Sequence, residues 1–274
     1  MGHPRSSQSP RLGLPTPILA LAGLAALSVA LPLVALLLRA DWATLPSDIG
    51  APAARSALGL SFLTAIVSTA VCVLIGIPLA LYLARSNTWV ASVTRVLVNL
   101  PLVMPPLVGG LSLLMLFGRR GLIGGPIYNL TGYMLPFTTP AVVVAQVFVA
   151  MPFMVITVEG VLRTQDPGYS TAALTLGASP WYTLRRVILP LAGPGIAAGV
   201  ILTFARALGE FGATALFAGN REGVTQTMPL AIYTAFNGGG VTQSSAIALA
   251  IMLLAAAFAV LMLTRLWRPG RGER

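Results

Sequence analysis

Six mostly apolar stretches of about 20 residues or more dominate this sequence and constrain its fold more than any other feature. A helix of about 20 apolar residues is long enough to cross the hydrocarbon core of a bilayer. The stretches are, in chain order, Ile18–Leu38, Leu58–Ala84, Val93–Phe117, Pro140–Leu162, Pro194–Phe217 and Ser244–Trp267. The sequence predicts an all-α integral membrane protein with six transmembrane helices over residues 18–267, between tails at residues 1–17 and 268–274.

A water-soluble globule is excluded by composition. Only 9% of the residues are charged and 56% are hydrophobic, whereas an ordinary soluble domain has about a quarter charged residues. The first stretch is expected to be retained as a helix, because its apolar run is longer than the roughly 7–15 residues of a signal peptide.

The distribution of arginine predicts how these helices are oriented. The chain has 17 arginines and no lysine, and positive residues are enriched in the cytoplasmic loops of membrane proteins. If the N-terminus is cytoplasmic, eleven arginines lie on the cytoplasmic side, five lie outside, and Arg206 lies within the fifth stretch. Both termini are therefore predicted to be cytoplasmic, and the net charge of +10 reflects topology rather than nucleic-acid binding.

Several enzyme classes are excluded because their reactive side chains are missing. Without lysine the chain has neither a P-loop nor a Schiff-base lysine. His3 and Cys72 are its one histidine and one cysteine, so neither a zinc site nor a disulfide framework is expected. The stretches contain no histidine and no paired aspartates, which excludes an intramembrane hydrolase. We assign no catalytic residue and no metal ligand.

Prolines and glycines interrupt the third stretch. Pro105 and Pro106 remove two consecutive backbone donors, and Gly109 and Gly110 follow them. A regular helix is therefore not expected at this point. Broken backbone at membrane depth is tolerated where protein buries it or where it lines a water-filled cavity. A packing kink and a translocation pathway both remain open for this segment.

The segment between the fourth and fifth stretches, residues 163–190, contains two helix starts. Asp166-Pro167 and Ser179-Pro180 each place a capping oxygen before a proline at the first helical position. Gly177 suits the left-handed end of the first helix, and Pro190 is expected to end the second. We predict two short helices in a hairpin-like arrangement on the cytoplasmic side.

Trp181, Tyr182 and Leu184 are apolar groups in a segment that should face water. Such rings must be buried on a neighbour, so we expect this loop to dock on a cytoplasmic partner.

The same loop resembles the EAA loop of ABC importer permeases. The resemblance lies in Ala172-Ala173, Gly177 and Val187–Pro190 at the family's spacing, with Thr171 in the place of the family's leading glutamate. It implies a coupling helix seated in a cleft of an ATPase subunit that binds ATP and Mg, with no cofactor on this chain. The residues assigned to coupling are Thr171, Ala172, Ala173, Gly177, Ser179, Pro180, Trp181, Tyr182, Leu189 and Pro190.

Further motifs resemble the molybdate and sulfate branch of these permeases. They are Leu100–Pro106, Phe204–Thr214, Phe217–Asn220 and Thr225–Tyr233. The resemblance implies the type I ABC importer permease fold over about residues 56–266, in a bacterial inner membrane. It also implies a second copy of the chain, two ATPase subunits, an extracytoplasmic oxyanion-binding protein and surrounding membrane lipid as partners.

Arg206 and Glu210 form a charged pair inside the fifth stretch. Residues four apart share a helix face and can reach each other. A charge at mid-bilayer costs at least ~2.5–3.5 kcal/mol, so a neutralising structural pair and a contact for a passing oxyanion both remain open. The candidate pathway and gate residues are Pro105, Pro106, Arg206, Glu210, Phe211 and Gly212.

Gln146 and Glu159 are further polar candidates in the fourth stretch. We expect Gln146 to hydrogen-bond a neighbouring helix. Glu159 lies near the inner end of its stretch and is expected to pack where that stretch meets the cytoplasmic loop.

The expected function is the permease subunit of an ATP-driven oxyanion importer that works by alternating access. Molybdate is the expected substrate, with sulfate, thiosulfate and tungstate as alternatives. An ion-coupled secondary transporter is a further alternative, but the spans contain few of the titratable carboxylates or histidines that this class uses.

Overall fold

The computed structural model describes residues 15–266, and the regular elements in that range are all helical. The described residues fall into two compact units, residues 15–41 and residues 42–266. The helices are α1 Thr16–Leu38, α2 Leu45–Gly50, α3 Pro52–Arg85, α4 Trp89–Val103, α5 Pro106–Phe117, α6 Gly124–Thr131, α7 Thr139–Thr164, α8 Pro167–Thr175, α9 Pro180–Thr183, α10 Leu189–Leu208, α11 Gly212–Phe217, α12 Met228–Phe236 and α13 Gln243–Leu266.

The first unit is the single apolar helix α1. It has 23 residues with a mean hydropathy of 2.5 and carries no ionisable side chain. Its large apolar side chains, such as Leu21 and Leu24, are exposed. A helix that is apolar all round suits a lipid environment, so α1 matches the first predicted span closely.

Within residues 42–266, four further helical segments are long and apolar enough to cross a membrane. They are Pro52–Arg85, Thr139–Thr164, Pro180–Leu208 and Gln243–Val260. Together with α1 they account for five of the predicted spans, and the two shorter apolar helices α4 and α5 occupy the third. The all-α membrane fold is therefore confirmed. Of the predicted tails at residues 1–17 and 268–274, the structure describes only residues 15–17, of which Thr16 and Pro17 begin α1. Trp267 also lies outside the described residues, and the cytoplasmic position of both termini stays a prediction.

The third predicted span is divided, as the prolines indicated. Helix α4 ends at Val103, Met104 is extended, and α5 begins at Pro106. Pro106 occupies the first helical position, where a missing N–H does no harm. The break therefore falls where the sequence placed it.

The fifth predicted span, Pro194–Phe217, is wrong as a single helix. Helix α10 ends at Leu208, and α11 begins only at Gly212. Gly209 has the low helix propensity that favours an end at this point. The Glu210 carboxylate then accepts a hydrogen bond from the Ala213 N–H, which stabilises the start of α11 instead.

The expectation that Pro190 ends the second loop helix is also wrong. Residues Leu184–Ile188 form a π-helical turn, with the Leu189 N–H donating to the Leu184 carbonyl, and the helix continues into α10. In a regular α-helix the Pro190 ring would clash with the carbonyl four residues earlier. The wider π turn removes that conflict, so the proline is accommodated.

Helix α7 lies at the centre of the second unit. It packs against α3, α10, α4 and α11, and the two hydrophobic clusters of the unit both include its residues. Its Gln146 side chain donates to Thr64 Oγ1 at 3.1 Å and accepts from Ser68 Oγ at 2.8 Å, both on α3. The expected hydrogen bond between Gln146 and a neighbouring helix is confirmed, and such bonds help to join helices in lipid.

Glycines allow helices to approach closely in this core. A Cβ atom added to Gly195 of α10 would overlap the side chain of Val161 on α7. In lipid there is no hydrophobic driving force between helices, so their association relies on close van der Waals packing. Small residues at the contact points allow the two backbones to approach closely enough for it.

We expect Gly195→Ala to lower the free energy of unfolding by about 1–3 kcal/mol, because the added methyl group overpacks the contact with Val161. The matched control is Gly193→Ala in the same helix, where an added Cβ meets no atom within 4 Å. The control should be neutral or raise stability by up to about 1 kcal/mol through helix propensity. Thermal and denaturant unfolding of the purified protein in detergent measures both, and equal effects would contradict the packing account.

Candidate functional site

The two broken spans meet each other in the structure. Helices α5 and α11 pack together, and a Cβ atom on Gly212 would lie 2.5 Å from Pro106 Cβ. One on Gly110 would lie 2.8 Å from the Ala213 carbonyl oxygen. The structure therefore brings Pro106 and Gly212, candidates from the third and fifth spans, into direct contact.

Arg206 and Glu210 form the predicted ion pair. Arg206 Nη2 lies 2.7 Å from Glu210 Oε2, and the Glu210 side chain is 1% exposed. The pair does not share a continuous helix, because Glu210 lies in the break after α10. Its second oxygen, Oε1, accepts a hydrogen bond of 2.8 Å from the Ala213 N–H in the first turn of α11. Glu210 therefore fastens the end of α10 to the start of α11.

Phe211, the residue between this carboxylate and α11, is half-buried. Its ring lies 5.1 Å from the ring of Tyr233 on α12, with an angle of 50° between the planes. Phe211 thus connects the break in the fifth span to α12.

The predicted starts of the loop helices are confirmed. Asp166 Oδ1 accepts from the Gly168 N–H at 2.8 Å at the start of α8, and Ser179 Oγ accepts from the Tyr182 N–H at 3.2 Å at the start of α9. Gly177 has a φ of +84°, the left-handed conformation expected after the first helix. The loop is a pair of short helices whose second member runs through the π turn into α10.

Many side chains of the loop are exposed. Leu176 is 87% exposed and Trp181 is 71% exposed. Thr171, Ala172, Gly177, Ser179, Pro180, Tyr182 and Pro190 are also exposed, whereas Ala173 and Leu189 are half-buried. If this loop lies in water, as predicted, a partner that covers these two large apolar side chains would be favourable.

One ionic cluster was not predicted from the sequence. Glu159 Oε1 accepts from Arg95 Nε at 2.8 Å and from Arg163 Nε at 2.9 Å. Both arginines also donate through Nη2 to the Leu83 carbonyl oxygen at 3.0 Å. The cluster joins α3, α4 and α7 at the end that leads into the loop. Glu159 and Arg163 are four residues apart, which is a local signal, but nothing local connects them to Arg95 on α4.

Comparison with known proteins identifies the family to which this chain belongs. Residues 76–271 match the family model described as "Binding-protein-dependent transport system inner membrane component". The chain is 48% identical over 235 residues to the molybdenum transport system permease protein ModB of Mycobacterium tuberculosis, covering 85% of this chain and 87% of the relative. This chain is a member of that inner membrane component family.

A second permease is also similar. The chain is 40% identical over 195 residues to the molybdenum transport system permease protein ModB of Haemophilus influenzae, covering 70% of this chain and 83% of that relative. The fold is shared with a crystal structure of a bacterial ABC transporter involved in the import of the acidic polysaccharide alginate. That match has a TM-score of 0.67 and 15% identity, and covers 93% of this chain and 95% of the other.

Membership defines the chain as a multi-pass transport subunit of the bacterial plasma membrane. Permeases of this family work with an ATPase and a substrate-binding protein, so both are partners of this chain. The broken spans and the exposed loop are therefore features of a permease. Glu210 is a buried carboxylate in the break between α10 and α11.

We expect Arg206→Gln to lower the free energy of unfolding of this permease by about 3–5 kcal/mol, because it leaves the Glu210 carboxylate buried without its counter-charge. The double variant Arg206→Gln with Glu210→Gln should be less destabilised than this single variant, since a glutamine oxygen can still accept from Ala213 N–H. Unfolding in detergent compares the two variants. If the double variant is the less stable one, the ion pair does not carry the stability assigned to it.

Proposed function

We propose that this chain is the permease subunit of an ATP-driven molybdate importer. The observation that carries the proposal is the 48% identity to the Mycobacterium tuberculosis molybdenum permease over 85% of the chain. The lack of lysine supports ATP hydrolysis on a separate subunit, since a P-loop needs a lysine at the phosphates. The permease then supplies the path across the membrane and couples transport to ATP hydrolysis on its partner. The binding protein delivers the oxyanion.

A transport assay of the complete complex tests the substrate. We expect this chain, reconstituted in proteoliposomes with its ATPase and binding protein, to take up molybdate only when hydrolysable ATP is present. Tungstate should compete with molybdate, because both are tetrahedral dianions of similar form.

The control is a non-hydrolysable ATP analogue, which should abolish uptake. Stimulation of the ATPase by sulfate or thiosulfate but not by molybdate would contradict the substrate. Uptake driven by an ion gradient without ATP would contradict the class of transporter.

The 163–190 loop is proposed to dock on the ATPase. The exposure of Trp181 and Leu176 on a helix pair with fixed caps supports this role. Aromatic side chains of this kind commonly anchor protein interfaces. Thr171 stands where related loops carry a glutamate, so apolar contacts of the α8–α9 pair carry more of the binding.

We expect Trp181→Ala to weaken binding of the ATPase by about ten-fold or more, because the variant removes a large apolar anchor. Trp89→Ala is the matched control: Trp89 is 78% exposed but stands at the start of α4, outside the loop. Titration of the ATPase onto the permease in nanodiscs measures both affinities. Equal affinities for Trp181→Ala and the unmodified chain would remove Trp181 from the interface.

The break region is proposed to line the pathway between two copies of this chain. Arg206 supports this role, because its side chain is 28% exposed while its partner carboxylate is buried. A partly exposed guanidinium that is already paired with a carboxylate attracts an oxyanion without holding it firmly, and conduction needs release as well as binding. The double variant of Arg206 and Glu210 should therefore fold and yet transport the oxyanion more slowly.

The packing of Pro106 against Gly212 supports a gate at the same place. Pro106 and Gly212 hold α5 and α11 in contact, so a shift of one short helix moves the other. Pro105 precedes α5, and Phe211 connects the start of α11 to Tyr233 of α12. Alternating access would use that shift when the ATPase subunits close and reopen.

A further inference from the structure

We propose that Glu159 is a positioning residue that links the coupling loop to the broken third span, so that movement of one is passed to the other. The proposal rests on the proposed function, because it concerns how ATP hydrolysis on the partner subunit is coupled to transport. It is carried by the ionic cluster of Arg95, Glu159 and Arg163.

The cluster begins directly beside the loop. Arg163 lies in the last turn of α7, and α8 starts at Pro167. Gln165, between them, donates through Nε2 to the Ile188 carbonyl oxygen at 3.2 Å, in the π turn that follows α9. This hydrogen bond joins the two ends of the loop to each other, two residues after Arg163.

The cluster then crosses to α4. Arg95 Nε lies 2.8 Å from Glu159 Oε1, the same oxygen that Arg163 contacts at 2.9 Å. Helix α4 runs from Trp89 to Val103 and ends at the break before Pro106. The part of α4 from Arg95 to Val103 thus joins the cluster to the break that precedes the contact between Pro106 and Gly212.

The composition of the cluster makes its geometry dependent on Glu159. Two guanidinium groups share one carboxylate oxygen and one carbonyl oxygen, that of Leu83. The Glu159 side chain is 9% exposed, whereas those of Arg95 and Arg163 are 29% and 42% exposed. Without the buried carboxylate the two arginines would repel each other, and α4 would lose its ionic link to the end of α7.

The decisive variant is Arg95→Gln in the complete complex with ATPase and binding protein. It removes the ionic link to α4 and leaves the Glu159–Arg163 pair within α7 intact. We expect the number of molybdate ions transported per ATP hydrolysed to fall by about 2- to 30-fold, the range found when coupling residues are changed. ATP hydrolysis itself should continue, because the loop and its docking surface are unchanged.

Arg85→Gln is the matched control. Arg85 is exposed in the last turn of α3, close to the same end of the molecule, and is in no ion pair among the described residues. The control should transport as many ions per ATP as the unmodified chain.

A double-mutant cycle with Glu159→Gln tests whether the two residues act together. Arg95→Gln combined with Glu159→Gln should lower the transport ratio little more than Glu159→Gln alone, since both changes break one link. Additive losses would overturn the proposal.

If the variants instead lose transport and ATP hydrolysis in equal proportion, the number of ions transported per ATP is unchanged while the unfolding temperature falls. In that case the cluster is only a structural contact. That outcome overturns the proposal and leaves the proposed function standing. If the unmodified complex shows no ATP-dependent molybdate uptake, the proposed function itself fails.

Discussion

The backbone groups at the two breaks constrain the rest of this structure. In lipid, an N–H or carbonyl group without a partner costs several kcal/mol, so interrupted helices persist only where protein covers them or where they line a water-filled cavity. Here each break helps to cover the other, because Pro106 of α5 lies against Gly212 of α11. Pro105 and Pro106 interrupt the third span. They are tolerated because the fifth span is also interrupted where the two spans meet.

Glu210 shows how such a break is stabilised chemically. One oxygen neutralises Arg206 at the end of α10, and the other accepts from a backbone N–H at the start of α11. A buried carboxylate without these two partners would be strongly unfavourable. The same side chain therefore ends one helix and begins the next, which makes the break a defined structure rather than a local failure of the helix.

The sequence predicted the elements well where the signal is local. The caps at Asp166 and Ser179 and the left-handed Gly177 depend on neighbouring residues, and the structure confirms them. It did not predict the end of α10 at Leu208 or the π turn before Pro190, because hydropathy does not report how a helix is interrupted. The contacts between Arg95 and Glu159 and between Pro106 and Gly212 connect distant segments, which no pattern in a single sequence can pair.

The exclusive use of arginine also suits the contacts that join the helices. Arg95 and Arg163 each donate from Nε to a carboxylate and from Nη2 to a backbone carbonyl, so each guanidinium bonds to two acceptors on different helices. A lysine ammonium is a compact point charge on a flexible stem, whereas the planar guanidinium holds its donors in a fixed fork. Substituting lysine at these positions would preserve the charge and lose the fixed geometry of the two hydrogen bonds that each arginine donates. The links between α3, α4 and α7 therefore depend on the shape of the cation as well as on its sign.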